Sequence, residues 1–139
     1  MLSSARSDET PRPGTLSVLL IEAQEELRRI IRDLLVRRGC SVDAVTTASD
    51  ALRQVASRSY GLVISEIHLP KMTGIELARH LSRRIQSPRI ILTAATSEPE
   101  TEKEAYLAGA THFLPRPLSL TALTQLVEEI RFSSSRSEG

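Results

Sequence analysis

A regular alternation of two kinds of segment constrains the fold of this chain more than any other feature. One kind is short, apolar and rich in β-branched residues, which is typical of buried strands. The other is longer and repeats apolar residues at helical spacing. The predicted strands are LSVLLIE from Leu16, CSVDAVTT from Cys40, GLVISEI from Gly61, RIILTA from Arg89 and THFLP from Thr111. The predicted helices are EELRRIIRDLLVRRG from Glu25, SDALRQVASRS from Ser49, TGIELARHLSRRI from Thr73, EPETEKEAYLAGA from Glu98 and SLTALTQLVEEIRF from Ser119.

Strands that alternate with helices predict βαβ units, and therefore a mostly parallel sheet with helices on both faces. Right-handed crossovers make such a sheet doubly wound, so we expect an α/β fold in three layers around a five-stranded parallel sheet. Ser49 and Ser119 are the predicted N-caps of the second and last helices. The stripes expected to pack on the sheet are Leu27, Ile30, Ile31, Leu34 and Leu35 in the first helix, Leu77, Ala78, Leu81 and Ile85 in the third, and Leu120, Leu123, Val127 and Ile130 in the last.

The two ends of the chain differ in composition from the middle. Residues 1–15 are polar and contain Pro11, Pro13 and Gly14, and residues 132–139 are rich in Ser. Neither segment has enough apolar side chains to bury, so we predict disordered tails at 1–15 and 132–139. The segment 16–131 is then one folded domain, as suits a chain of 139 residues.

Composition argues against several classes of function. The formal net charge is +1, with acidic residues interspersed among the Arg residues, so we expect no direct nucleic-acid binding. Cys40 is the chain's single cysteine, which excludes an internal disulfide and a cysteine-based zinc cluster. His80 and His112 are too scattered to form a metal ligand set. No apolar run is long enough to span a membrane and no signal peptide is visible, so we expect a cytoplasmic protein without membrane contact.

Candidate functional residues lie where the predicted strands end. In doubly wound sheets the active crevice lies at the carboxyl ends of the strands, at the point where the strand order reverses. Glu22 and Ala23 come at the end of the first strand, Glu66 ends the third, Thr93 ends the fourth and Arg116 follows the fifth. Glu66 is the most informative of these, because a carboxylate there closes an otherwise apolar strand.

Three motifs resemble those of the receiver domain of two-component response regulators. HLPKMTGIEL from His68 resembles the loop and helix after the family's phosphoacceptor strand. RIILTAAT from Arg89 resembles its fourth strand with the switch hydroxyl, and AGATHFLPRPLSLTAL from Ala108 resembles its fifth strand, Lys-Pro turn and last helix. The resemblance covers residues 16–131 and implies the flavodoxin-like (CheY-like) arrangement of the sheet.

The family transfers a phosphoryl group to an Asp with the help of Mg²⁺, and this chain departs from that pattern. By resemblance the acceptor position falls on Glu66, and the acidic pair that helps to hold the metal falls on Glu22 and Ala23. Glu is one methylene longer than Asp, and an error of about 1 Å can cost in-line transfer about a hundredfold. Because Ala23 also removes a carboxylate, we expect weak or no Mg²⁺ binding, with Glu22, Glu66 and the backbone of His68 as the available ligands.

The resemblance also assigns the residues that read the phosphoryl group. Its switch hydroxyl falls on Thr93, the aromatic residue that then turns inward falls on Phe113, and the phosphate-contacting Lys-Pro falls on Arg116 and Pro117, whose peptide bond is implied to be cis. Arg presents a planar fork that pairs bidentately with carboxylates, where Lys acts as a mobile point charge. We therefore predict an ion pair between Glu66 and Arg116 that closes the pocket from within.

These departures predict a non-enzymatic, phosphorylation-independent protein-interaction module. Glu66 supplies one permanent negative charge where the family adds a phosphate of about −1.5 to −2, and it either locks an active-like state or fills the pocket of an inert scaffold. The family's binding face falls on residues 98–131, with a protein partner such as a histidine kinase or a second copy of the chain. Two alternatives stay open: a receiver that takes a phosphoryl group on Glu66 with Mg²⁺, and the regulatory part of a larger transcriptional regulator.

Overall fold

The computed structural model describes residues 15–95 and 98–138, which form one parallel sheet with helices on both faces. Its strands are β1 (Ser17–Ile21), β2 (Ser41–Val45), β3 (Leu62–Glu66), β4 (Arg89–Ala94) and β5 (His112–Pro115). Its helices are α1 (Glu25–Arg37), α2 (Ala48–Ser57), α3 (Gly74–Ser82), α4 (Pro99–Leu107) and α5 (Leu120–Glu138). The N-terminal tail predicted for residues 1–15 lies outside the described residues except for Thr15.

The sheet has the strand order β2-β1-β3-β4-β5, and all its pairings are parallel. This confirms the predicted doubly wound α/β fold. The order reverses between β1 and β3, so the crevice lies between their carboxyl ends. Ile21 is paired with Ser65, and Glu66 with Thr93. The register therefore brings the ends of three strands to one level.

Two separate cores explain why the central strands are apolar on both faces. Leu19 and Ile21 of β1 point into a core with the apolar faces of α2, α3 and α4. Val18 and Leu20 of the same strand point into a second core with α1 and α5. Alternate residues of a strand lie on opposite faces of the sheet, so a strand covered by helices on both sides needs apolar residues throughout.

The helix caps agree with the sequence at one predicted position and differ at another. Ser119 caps α5 as predicted, since its hydroxyl accepts the N–H of Ala122 at 3.1 Å. The predicted cap of α2 at Ser49 is wrong, because Thr47 takes that place and accepts the N–H of Asp50 at 3.1 Å. Thr47 has the extended backbone that an N-cap requires, whereas Ser49 is already helical.

Three further predictions about the helices are corrected. Ile85 is fully exposed, because α3 ends at Ser82 in a tightened turn where the N–H of Arg84 bonds to the carbonyl of Leu81. Ile30 is also exposed, so the buried stripe of α1 is narrower than predicted. Residues 132–138, predicted to be a disordered tail, continue α5 to Glu138, since no Gly or Pro interrupts the sequence after Pro117 until Gly139.

None of the helices in the described ranges is long and apolar enough to cross a lipid bilayer.

Substituting Gly74 should displace the segment that carries Glu66. A Cβ at Gly74 would clash with the carbonyl oxygen of Glu66, a backbone atom that cannot rotate away. We expect Gly74→Ala to lower the free energy of unfolding by about 1–3 kcal/mol, as overpacking does, measured by urea denaturation. Gly61→Ala is the matched control, because the nearest atom to its new Cβ would be the end of the Leu16 side chain, at 3.0 Å, and the nearest backbone atom, the carbonyl oxygen of Ser17, lies at an ordinary 3.9 Å. Equal losses in the two variants would contradict this reading of the contact.

Candidate functional site

Four polar side chains converge where β1, β3, β4 and β5 end. Backbone hydrogen bonds continue past the strands and fix the positions from which these side chains start. The N–H of Glu22 donates to the carbonyl of Val45 at 3.1 Å, and the N–H of Arg116 donates to the carbonyl of Ala94 at 2.7 Å. Glu22 and Arg116 therefore reach the crevice beside Glu66 and Thr93, which are register partners.

The guanidinium of Arg116 is at the centre of this group. Its Nη2 forms ion pairs with Oε1 of Glu22 and with Oε1 of Glu66, the latter at 3.2 Å, and it donates to Oγ1 of Thr93 at 3.2 Å. The predicted Glu66–Arg116 ion pair is thus present. The expected two-pronged pairing with one carboxylate is wrong, because a single nitrogen is shared among three oxygens. Nε of Arg116 is buried and has no hydrogen-bond partner among the described residues.

Glu22 is the most deeply buried residue of the site, and its ion pair with Arg116 was not predicted from the sequence. Its side chain is only 2% exposed, whereas that of Glu66 is 20% exposed. Its second carboxylate oxygen accepts the N–H of Gln24 at 3.1 Å. The carbonyl of Glu22 accepts a hydrogen bond from Arg28 at 3.0 Å. The signal that could have found this pairing is the neighbouring position of β1 and β3, which places Glu22 one residue past the strand beside Glu66.

The pKa of Glu66 is raised by its surroundings in this pocket. Burial raises the pKa of Glu66 above its ordinary value, the negative charge of Glu22 raises it further, and Arg116 opposes both. One cation therefore serves two carboxylates, and the more exposed of the two takes up a proton more readily than a free Glu would.

The residues of the pocket do not suit Mg²⁺. Both oxygens of Glu22 and one oxygen of Glu66 already accept hydrogen bonds or ion pairs from the protein. Ala23 offers no side-chain oxygen, and no group of three metal-ligating side chains lies together in the described parts of the chain. A divalent ion bound by the two carboxylates would also have to sit beside the guanidinium of Arg116, and like charges at such distances repel strongly.

The remaining residues assigned by resemblance lie around this pocket. Phe113 is buried in the core that α2, α3 and α4 form with the sheet. The peptide bond between Arg116 and Pro117 is cis, as predicted. Ala23 is exposed and its carbonyl accepts a hydrogen bond from Arg28 at 3.3 Å, while the exposed His68 slightly opposes the raised pKa of Glu66.

Comparisons with known proteins agree with this fold. The family model described as "Response regulator receiver domain" matches residues 18–128. The aerobic respiration control sensor protein ArcB of Escherichia coli K12 is 36% identical over 124 residues, which are 88% of this chain and 16% of ArcB. The chain therefore spans only a small part of that relative's length.

Solved structures show the same fold at lower identity. The receiver domain of the Francisella response regulator 1452 superposes with a TM-score of 0.81 at 18% identity, covering 86% of this chain and 99% of that one. The receiver domain of Ssk1 from Saccharomyces cerevisiae, crystallised with the histidine phosphotransfer protein Ypd1, matches at a TM-score of 0.79 and 20% identity, covering 86% of this chain and 91% of the other.

Removing the charge of Glu66 should change how stability depends on pH. A carboxyl whose pKa is raised in the folded state stabilises the fold below its unfolded pKa, and this contribution is lost as pH rises through the folded pKa. Glu66→Gln has no such contribution to lose. The free energy of unfolding of this variant minus that of the unaltered protein should therefore increase as pH rises above 4.5, the ordinary pKa of a Glu carboxyl. Urea denaturation across that range measures the difference. Glu100→Gln, exposed on α4, is the control, and a difference that falls with pH would contradict the assignment.

The pairing of Arg116 with Glu22 can be tested by a double-mutant cycle. Arg116→Gln leaves a buried carboxylate without a cation, and breaking such a pair costs about 3–5 kcal/mol. Adding Glu22→Gln should recover a large part of that loss, because the almost fully buried carboxylate is then gone and only the more exposed Glu66 has lost its cation. Arg53→Gln breaks an exposed pair with Asp50 and should change the stability little, because exposed ion pairs contribute little. Losses that simply add in the double variant would show that the two side chains are not coupled.

Proposed function

Because the chain belongs to the response regulator receiver domain family, we propose that it acts in two-component signalling as a receiver that works without phosphorylation, as a protein-interaction module rather than an enzyme. The observation that carries the proposal is the pairing of Arg116 with both Glu22 and Glu66. This pairing takes up the groups that a phosphoryl group and its metal would need.

Charge balance in the pocket supports independence from phosphorylation. Two carboxylates and one guanidinium leave the site neutral to negative, depending on the proton of Glu66. An incoming phosphoryl group brings about −1.5 to −2 charges, and the cation that would receive it is already committed to Glu22. Separating that buried pair would leave an uncompensated carboxylate, which is strongly unfavourable.

The position of the readout residues supports a locked state over an inert scaffold. Thr93 is buried, and its hydroxyl oxygen already accepts a hydrogen bond from Arg116. Phe113 is already turned inward, packed in the core beside α4. Phe has no hydroxyl that would favour a solvent-facing position, so burial of its ring is the stable arrangement. In this proposal Glu66 and Arg116 together stand in for the phosphoryl–lysine contact of the family.

The face formed by residues 98–131 is the proposed partner surface. It contains β5, which is an edge strand of the sheet, and α4, where Tyr106 is 44% exposed and Leu107 is 77% exposed. The receiver of Ssk1 was crystallised with a histidine phosphotransfer protein, and ArcB is named as a sensor protein. A histidine kinase or phosphotransfer protein in the cytoplasm is therefore the proposed partner, with a homodimer as the second candidate.

Restoring the family residues should restore phosphorylation. The triple variant Glu66→Asp, Ala23→Asp and Arg116→Lys should take up one phosphoryl group from a small acyl phosphate when Mg²⁺ is present, at a rate at least about a hundredfold above the unaltered protein. Intact-mass spectrometry measures the uptake, with Mg²⁺-free samples and the single variant Ala23→Asp as controls.

The unaltered protein provides the decisive sample. We expect no mass gain from it, and no change in its amide NMR spectrum on addition of beryllofluoride and Mg²⁺. Phosphorylation on Glu66 would instead show that the chain is a competent receiver, and the proposal would be wrong.

A further inference from the structure

A second pocket lies at the end of the sheet opposite to Glu66. We call it the basal pocket and define it by Val55, Arg58, Tyr60, Arg83, Arg84 and Ile85. It occupies about 600 Å³ between the connections α2–β3 and α3–β4. Small-molecule sites typically have volumes of about 300–1,000 Å³, so the basal pocket is large enough for a compact organic ligand.

Positive charge in the basal pocket exceeds the negative charge available to it. Among the described lining residues are three Arg and no Asp or Glu. The charge of Arg58 is balanced by Asp43, whose Oδ2 lies 3.0 Å from Nη1 of the guanidinium. Arg84 donates to the carbonyl of Val55 at 3.0 Å, near the C-terminus of α2. Within the described ranges, neither Arg83 nor Arg84 has a carboxylate partner, so two guanidiniums keep donors and charge for a ligand.

The walls of the basal pocket are held in place by contacts of their own. The hydroxyl of Tyr60 donates to Asp43 at 2.6 Å, and the guanidinium of Arg58 lies 5.8 Å from the centre of the Tyr60 ring. Asp43 thus fixes both side chains at once. A site whose polar groups are already oriented loses less entropy on binding than one that must be ordered.

An apolar surface lies next to the unpaired guanidiniums. Ile85 is fully exposed, although it is a β-branched residue in a turn between an arginine pair and Pro88. Val55 and Tyr60 also line the pocket, but both are almost fully buried and form its floor. A ligand with an apolar body would cover Ile85, while an anionic group on it could pair with Arg83 and Arg84.

We propose that the basal pocket binds a small organic anion, in which a phosphate, sulfonate or carboxylate group is carried on a flat apolar body. The anionic group pairs with Arg83 and Arg84, and the body packs on Ile85 and on the small accessible part of Tyr60. This site does not involve Glu66 or Arg116, so it is independent of the chemistry at the other end of the sheet.

Naphthalene-1-sulfonate is a suitable probe, because it combines an anionic group with a flat apolar body and cannot donate a phosphoryl group. Titrated into the full chain, it should give saturable amide NMR shifts centred on Tyr60, Ile85 and Gln86. Sulfate alone and 1-naphthol alone should each bind at least about tenfold more weakly. Equal binding of naphthol, shifts centred on Glu66 and Arg116, or shifts that do not saturate would each overturn the proposal.

Variants assign the binding to the arginines. Arg83→Gln should weaken binding of the probe about tenfold without unfolding the protein, since no described contact depends on that guanidinium. Arg84→Gln should weaken it as well, with urea denaturation to separate loss of binding from loss of its contact with Val55. Arg53→Gln, an exposed arginine of α2 outside the basal pocket, is the matched control and should leave binding unchanged. Unaltered affinity in Arg83→Gln would overturn the assignment.

Discussion

The guanidinium of Arg116 is the group on which the carboxyl end of the sheet depends. Glu22 is almost fully buried and Glu66 lies beside it, and two carboxylates at this distance repel each other. Burying an unpaired carboxylate costs several kcal/mol even after relaxation. Arg116 makes the arrangement tolerable, and because it extends from the end of β5, it ties together the ends of β1, β3 and β5. Electrostatic balance in the crevice thus depends on a residue that directly follows the edge strand.

The same interaction changes what a receiver fold can do. A pocket that exchanges a metal and a phosphoryl group needs acceptor oxygens that are free in one state and occupied in another. In this protein Arg116 occupies the oxygens of Glu22, Glu66 and Thr93 in the single state described. A partner surface that depends on these residues would then have one conformation rather than two. This suits a partner that binds the module at all times.

The sequence predicted the sheet, the helices and most of the site, because these follow from local patterns. Apolar runs and helical stripes identified each layer, and the residues at strand ends identified Glu66, Thr93 and Arg116. The pairing of Arg116 with Glu22 was not predicted, because the order of the strands shows only that the two residues are near each other, and the contact itself depends on the exact reach of two side chains. Thr47 and Ser49 compete within one turn for the same cap, and only backbone geometry decides between them. The arginines of the basal pocket come from two connections far apart in the chain, so no local pattern joins them.

Glu66 and Arg116 depend on each other, because the two side chains form one ion pair. Glu66 starts opposite Thr93 in the register, and Arg116 reaches the crevice from β5, with β4 between the two strands. The carboxylate of a Glu extends one methylene further than that of an Asp, and the ion pair at 3.2 Å uses that extra reach. At position 116, the terminal Nη2 of Arg reaches Glu22, Glu66 and Thr93 together. Reverting one of the two residues alone would leave the other without its match, so the pair is expected to behave as a unit.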